Sequence, residues 1–117
     1  MSEPLTAEGL EVSTAETARA LAEDAAQVVD VRESYAREAG HLAGTRHIAM
    51  NELAGEAGTL DPERPVIFQC RVGGRSLMAA QALRQAGFDA YSMAGGVLQW
   101  AGEGRPLAPD GGRVADH

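Results

Sequence analysis

The sequence contains no lysine, a single cysteine and few aromatic residues. Without lysine, the chain cannot use a lysine nucleophile or form a Schiff base. One cysteine cannot form an internal disulfide or supply the cysteine pairs of a zinc site, and the three histidines lack metal-ligand spacing. No apolar run approaches the roughly 20 residues of a membrane-spanning helix, and the N-terminus does not resemble a signal peptide. We therefore expect a cytoplasmic protein with a free thiol, no metal site and no membrane partner.

The length and charge of the chain predict one acidic globular domain. Its 117 residues are 44% hydrophobic, and the formal net charge is −7. This charge argues against non-specific binding to nucleic acids or anionic membranes. We assign the domain to residues 10–106, with a flexible lead-in at 1–9 and a flexible tail at 107–117. A monomer is the default expectation.

Short apolar segments alternate with segments that have helical spacing. Strands are predicted at 10–12, 27–31, 45–48, 65–69 and 89–93. Helices are predicted from Ser13, over 34–38, over 75–86 and after Gly96, with Asn51 a possible helix cap. No tight hairpin signal joins the strands, so the pattern indicates βαβ units and a mostly parallel sheet covered on both faces. Ligands of such sheets bind at the carboxyl ends of the strands.

Apolar residues at helical spacing predict the buried faces of two of these helices. In the first helix they are Ala15, Ala18, Leu21, Ala22 and Ala25. In the helix over 75–86 they are Leu77, Ala80, Leu83 and Ala86.

The lone cysteine lies where the clearest strand ends and a helix begins. Its loop reads Cys70, Arg71, Val72, Gly73, Gly74, Arg75, Ser76. Glycines let such a loop curl so that its amides form an anion-binding nest. The helix N-terminus and the arginines lower the pKa of a thiol and hold an oxyanion. The residue types therefore predict a nucleophilic thiolate that acts on an anionic substrate.

An inert reading of this cysteine is also available, because a cysteine that closes an apolar strand is more often a small buried hydrophobe. A cysteine that only packs does not need a loop of glycines flanked by arginines. We therefore favour catalysis or anion binding. Within the loop, the Ser76 hydroxyl either bonds to the sulfur or caps the helix.

Three segments, in this order and spacing, resemble the rhodanese family of single-domain sulfurtransferases. They are Asp30-Val31-Arg32-Glu33 with residues 40–45, the loop at residues 70–76, and Gly95-Gly96 through Trp100 to Pro106. The resemblance covers about residues 10 to 106. It implies a rhodanese-like α/β fold with a five-stranded parallel sheet and helices on both faces.

The resemblance also implies a mechanism without a cofactor. The catalytic Cys70 would take the outer sulfur of thiosulfate or a similar small anionic donor as a persulfide. It would then pass the sulfur to cyanide, a small thiol or a protein cysteine. Substrate binding would fall to the loop residues, which are Arg71, Val72, Gly73, Gly74, Arg75 and Ser76.

Two other functions remain as alternatives. The first is a relay module that receives and delivers sulfur between proteins. The second is a phosphatase or arsenate reductase. Related phosphatases have one residue more between cysteine and arginine than the four that separate Cys70 from Arg75. The shorter loop fits a sulfur atom better than a phosphate.

Polar residues outside the loop receive structural interpretations. We expect Asp30 and Arg32 to form an ion pair or a hydrogen-bond bracket behind the loop that fixes it. Glu33 is read as an acidic residue at a helix start. His41 is expected to pack and hydrogen-bond in a turn, and the sequence assigns no role to His47.

Overall fold

The structure, a computed structural model, describes residues 9–115, so residues 1–8 and 116–117 of the predicted lead-in and tail lie outside the described residues. Within this range the chain forms a five-stranded parallel sheet in the order β1-β5-β4-β2-β3. The strands are β1 (Glu11–Val12), β2 (Gln27–Asp30), β3 (Arg46–His47), β4 (Val66–Gln69) and β5 (Ala90–Met93). The helices are α1 (Thr14–Glu23), α2 (Ser34–Ala39), α3 (Leu53–Glu56), α4 (Gly74–Gln85) and α5 (Gly96–Gly102), with 3₁₀ turns at Met50–Glu52 and Ala57–Thr59.

Successive residues of the central strand β4 face two different hydrophobic layers. Val66 and Phe68 pack in the layer that contains α4, whereas Ile67 packs in the layer that contains α1 and α5. All three side chains are fully buried, as expected for a parallel sheet covered on both sides. The predicted α/β fold, with its five parallel strands and helices on both faces, is therefore confirmed.

Helix α1 begins at Ser13, as predicted, with a capping box. The Glu16 amide donates to Ser13 Oγ at 3.0 Å, and the Ser13 amide donates to Glu16 Oε1 at 2.9 Å. Its predicted buried face is wrong in part. Thr14 and Thr17 are buried, because their hydroxyls donate to partners at 2.6 and 2.9 Å, whereas two of the predicted alanines, Ala15 and Ala22, are exposed.

The predicted face of α4 is also shifted, and one predicted cap is wrong. Ala80 and Leu83 are buried as expected, but Ala86 lies beyond the helix and is exposed. The turn at 50–52 begins after Ala49, so Asn51 lies inside it and does not cap a helix.

The described part of the predicted tail, residues 107–115, lies against the domain. Leu107 and Val114 pack in the layer that contains α1 and α5. His41 and Ala108 form an antiparallel bridge, and the Arg113 amide donates to the Ala39 carbonyl at 2.8 Å. The flexibility of this segment stays a prediction, but its last described residue, Ala115, contacts the cysteine loop, because the Ala115 carbonyl accepts from Arg71 Nε at 3.0 Å. In the part of the chain that the structure describes, no helix has the length and apolarity to cross a membrane.

Candidate active site

Cys70 follows β4, so the middle strand of the sheet delivers the thiol to the carboxyl edge. The side chain is buried, with 1% exposed. Gly73 ends the turn after it, in a left-handed conformation (φ +112°) that favours glycine. This turn brings the Gly73 amide to 3.1 Å from Cys70 Sγ. A tight glycine turn therefore places a backbone donor on the sulfur, as the sequence predicts.

Two serine hydroxyls continue the hydrogen bonding behind the sulfur. The Cys70 thiol donates to Ser76 Oγ at 3.5 Å, and Ser76 Oγ lies 2.7 Å from Ser92 Oγ. Ser76 therefore bonds to the sulfur, the first of the two predicted alternatives, since Gly73 is the residue at the N-cap of α4. Ser92 was missed, although a fully buried serine in β5 is a signal that its hydroxyl has a partner.

The hydrogen bonds around the sulfur favour the thiolate. Burial alone would raise the pKa of Cys70, but the Ser76 hydroxyl and the amides of Ser76, Gly73 and Val72 outweigh it, so the pKa lies below its ordinary value. A larger fraction of the protein therefore carries the reactive anion near neutral pH.

The variant Ser76→Ala should shift the thiol pKa upward. The lost hydroxyl stabilises the anion, and a hydrogen bond to a charged group contributes about 1.5–3 kcal/mol, which corresponds to roughly one to two pKa units. The measurement is the rate of Cys70 alkylation by iodoacetamide against pH, whose midpoint should rise. Ser92→Ala should give a smaller rise in the same direction, because Ser92 reaches the sulfur only through Ser76. An unchanged midpoint in Ser76→Ala would contradict this account.

The first turn of α5 holds the opposite side of the loop. The Val97 amide donates to the Cys70 carbonyl at 2.8 Å, and the Leu98 amide donates to the Arg71 carbonyl at 2.9 Å. Gly96 makes this approach possible, with φ +63° and an ideal Cβ position only 2.4 Å from the Arg71 oxygen. Because amides of α5 bond to the loop carbonyls, the amides of the loop itself remain free to face the sulfur. The sequence predicts a helix after Gly96 but not this contact.

The two arginines of the loop have partners from distant parts of the chain. Arg71 Nε donates to the carbonyl of Ala115 at 3.0 Å, and Arg75 forms an ion pair with Glu33. The structure thus brings Gly73 and Ser76 to the Cys70 sulfur, whereas the side chains of both arginines bond to residues outside the loop. The other predicted loop residues are Val72, which is exposed, and Gly74, which is the first residue of α4.

Comparison with known proteins identifies the family. Residues 13–103 match the family of the rhodanese-like domain. The chain belongs to this family. The thiosulfate sulfurtransferase GlpE of Pseudomonas aeruginosa (strain LESB58) is 40% identical over 86 residues, which are 73% of this chain and 78% of that protein. The putative sulfurtransferase YtwF of Bacillus subtilis (strain 168) is 32% identical over 97 residues, 82% and 94% of the two chains. The crystal structure of a rhodanese-related protein from Thermoplasma volcanium has a TM-score of 0.78 and 28% identity, and the match covers 84% of this chain and 96% of that one.

The rhodanese domain contains the predicted ion pair of Asp30 and Arg32, whereas the support of the loop by this pair stays a prediction. Arg32 Nη2 lies 2.8 Å from Asp30 Oδ2, and both side chains are buried. Burial would raise the pKa of Asp30, but the hydrogen bonds and charge of Arg32 lower it overall. Arg32 Nη2 also donates to the Gly40 carbonyl at 2.8 Å. The pair thus holds the segment after α2, and it adjoins the cysteine loop through Gln69, which pairs with Asp30 in the sheet.

Both histidines near this ion pair bond to backbone carbonyls. His41 Nδ1 lies 2.9 Å from the Arg37 oxygen, which agrees with the predicted turn role. His47 Nε2 lies 2.7 Å from the Arg32 oxygen. His47, without a predicted role, therefore helps to position the backbone of the buried arginine.

Proposed function

We propose that this rhodanese-domain protein is a sulfurtransferase that carries sulfur as a persulfide on Cys70, with thiosulfate or a similar anion as donor. The observation that supports this most directly is the environment of the sulfur. The Gly73 amide and the Ser76 hydroxyl lie within hydrogen-bond distance of Cys70 Sγ, and its pKa is lowered. The name of the GlpE relative supports thiosulfate as the donor.

The reaction consists of two displacements at sulfur. In the first, the Cys70 thiolate attacks the outer sulfur of thiosulfate, and the bond between the two sulfur atoms of thiosulfate breaks. Its electron pair leaves with sulfite, so the enzyme holds a persulfide anion. In the second step, cyanide or a thiolate attacks the terminal sulfur and leaves as thiocyanate or a new persulfide. The Cys70 thiolate is regenerated without an external oxidant or reductant.

The loop amides suit both anionic states of the enzyme. Donors that are fixed before the reaction stabilise developing negative charge without reorganisation. The α5 contacts to the carbonyls of Cys70 and Arg71 hold the loop in this orientation. The same nest can therefore stabilise the thiolate before transfer and the persulfide after it.

Intact-mass measurement after incubation with thiosulfate tests the proposal. We expect a gain of one sulfur atom. Subsequent addition of cyanide should remove this atom and form thiocyanate. Protein alkylated beforehand at its only cysteine should gain nothing. If neither thiosulfate nor a small-molecule persulfide adds sulfur, the persulfide proposal is overturned.

A second candidate is transfer between proteins, and two exposed apolar residues favour it, one in the loop and one in the helix α5 that contacts the loop. Val72 and Leu98 are 55% and 44% exposed, and Leu98 follows directly after the α5 amide that bonds the Cys70 carbonyl. A protein acceptor could cover such side chains, whereas cyanide could not. Loading from a small-molecule persulfide but not from thiosulfate would favour this candidate.

A further inference from the structure

Glu33 does something other than start a helix. It occupies the N-cap position of α2, but its side chain makes no cap hydrogen bond there with the described residues. The Glu33 carboxylate pairs instead with Arg75 Nη1, which belongs to the cysteine loop, and the side chains of Glu33 and Arg75 are 54% and 40% exposed, respectively. This hydrogen bond lowers the pKa of Glu33, so the carboxylate is charged when it meets the guanidinium.

The ion pair lies on the wall of a small pocket beside the thiol loop. The pocket has a volume of about 190 Å³ and is lined by Val31, Glu33, Ala49, Met50, Asn51 and Arg75. The Val31 amide donates to the Gln69 carbonyl at 3.0 Å, so the pocket adjoins the residue before Cys70. At about 30 Å³ per water molecule, this volume holds roughly six waters. It therefore suits a small reagent.

The charges of the lining cancel. Among the lining residues, Arg75 supplies one positive charge and Glu33 one negative charge. An arginine alone at this position would attract an anion and raise its local concentration. The adjacent carboxylate opposes that attraction at nearly the same distance, which removes most of the preference for anions.

We propose that Glu33 sets the charge selectivity of Cys70, by neutralising Arg75 so that anionic reagents lose their advantage over neutral ones at the pocket. The proposal rests on the proposed function, since it names the charge class of the donor that the thiol accepts. Neutralisation of Arg75 by Glu33 makes thiosulfate a weaker donor than it would be if the loop arginines acted alone. The same neutralisation favours donors of lower charge.

Paired alkylation of the single cysteine tests the proposal without any sulfur donor. Iodoacetate is an anion and iodoacetamide is its neutral counterpart, so the ratio of their rates reports charge selectivity. Changes in thiol pKa or in access alter both rates and cancel in the ratio. We expect Glu33→Gln to raise the iodoacetate-to-iodoacetamide ratio by about threefold at low salt, with the rise shrinking as salt is added.

The matched control is Asp24→Asn, which also removes one exposed carboxylate from an arginine. Asp24 pairs with Arg64 at 2.9 Å before β2, at the opposite edge of the sheet from the loop. Its left-handed backbone (φ 50°) is one that asparagine also adopts. Asp24→Asn lowers the net negative charge by the same amount as Glu33→Gln does. An unchanged iodoacetate-to-iodoacetamide ratio in Asp24→Asn would therefore show that the effect of Glu33→Gln comes from the local charge at the pocket and not from the net charge of the protein.

Arg75→Gln completes the experiment. It should lower the ratio, and the double variant with Glu33→Gln should return close to the wild-type value, because the pocket charge is then zero again. A Glu33→Gln ratio equal to that of wild type, or matched by Asp24→Asn, would overturn the proposal. So would a thiol that reacts with neither reagent, since no small molecule then reaches it. A failure of thiosulfate to load sulfur, with these ratios as expected, would count against the proposed donor alone.

Discussion

Replacing Cys70 with serine should abolish sulfur loading and leave the fold intact. A serine hydroxyl at this position is not ionised near neutral pH, and among residues 9–115 the hydrogen-bond partners of the Cys70 sulfur are the Gly73 amide and the Ser76 hydroxyl, neither of which is a general base. Serine therefore cannot attack the donor as a thiolate does. Serine is close to cysteine in size, and the Gly73 amide and Ser76 hydroxyl remain available as hydrogen-bond partners. The measurements are intact mass after incubation with thiosulfate and the thermal unfolding midpoint. We expect no added sulfur and a midpoint within about 5 °C of wild type.

The variant Cys70→Ala separates loss of the nucleophile from loss of packing. Alanine also lacks the nucleophile but leaves the Gly73 amide without a side-chain acceptor. It should therefore match serine in loading and be less stable than serine. Sulfur added stoichiometrically to either variant would contradict the assignment of the nucleophile, because the chain contains no second cysteine.

The parts of the site that the sequence predicts are those encoded within a few residues. The end of a buried strand, the glycine turn and the following helix N-terminus are adjacent in the chain, and they position Cys70, Gly73 and Ser76 as expected. The capping box of α1 was predictable for the same reason. Such signals act over three or four residues, so the rest of the fold does not have to be known.

The partners that complete the site come from distant segments. Ser92 reaches Ser76 because β5 lies beside β4, and Glu33 reaches Arg75 because β2 lies on the other side. The strand order, which follows from packing of the whole sheet, decides both contacts. Periodicity alone does not give that order. The partners of the two loop arginines, Ala115 and Glu33, were therefore not predicted, and the expected substrate-binding role of these arginines stays a prediction.

The errors in the helix faces have a related cause. The expected buried face of α1 consists of apolar residues only, yet the observed buried face includes Thr14 and Thr17. Thr17 satisfies its hydroxyl on the Ser13 carbonyl one turn earlier, and Thr14 satisfies its own on Glu103 after α5. The first bond joins residues four positions apart and is therefore predictable from the sequence, whereas the second depends on α1 packing beside α5. A polar residue with a partner inside the fold can thus take a core position.

The contact between α5 and the loop implies that a single methyl group should disable the site. Gly96 has φ +63°, and an added Cβ would lie 2.4 Å from the Arg71 oxygen and 2.6 Å from the Cys70 oxygen. Both atoms are backbone, so Gly96→Ala must move the loop or the helix. Either movement breaks the bonds from the Val97 and Leu98 amides. Misplacement of reacting groups by about 1 Å can cost on the order of 100-fold in rate, and we expect a loss of sulfur loading of that size with a raised Cys70 pKa.

Gly102→Ala is the control, because it adds the same methyl group at the other end of α5. The added Cβ would have no described atom within 4 Å beyond its neighbours and its own helix. Alanine is also favoured over glycine in a helix by about 1 kcal/mol. This variant should load sulfur at the wild-type rate and unfold at the same or a higher temperature. The two rates are compared by intact mass over time, and the pKa by alkylation against pH. Equal loading by the two variants would show that the α5 contacts do not orient the loop amides, and the nest around Cys70 would then have to be maintained by Gly73 and Ser76 alone.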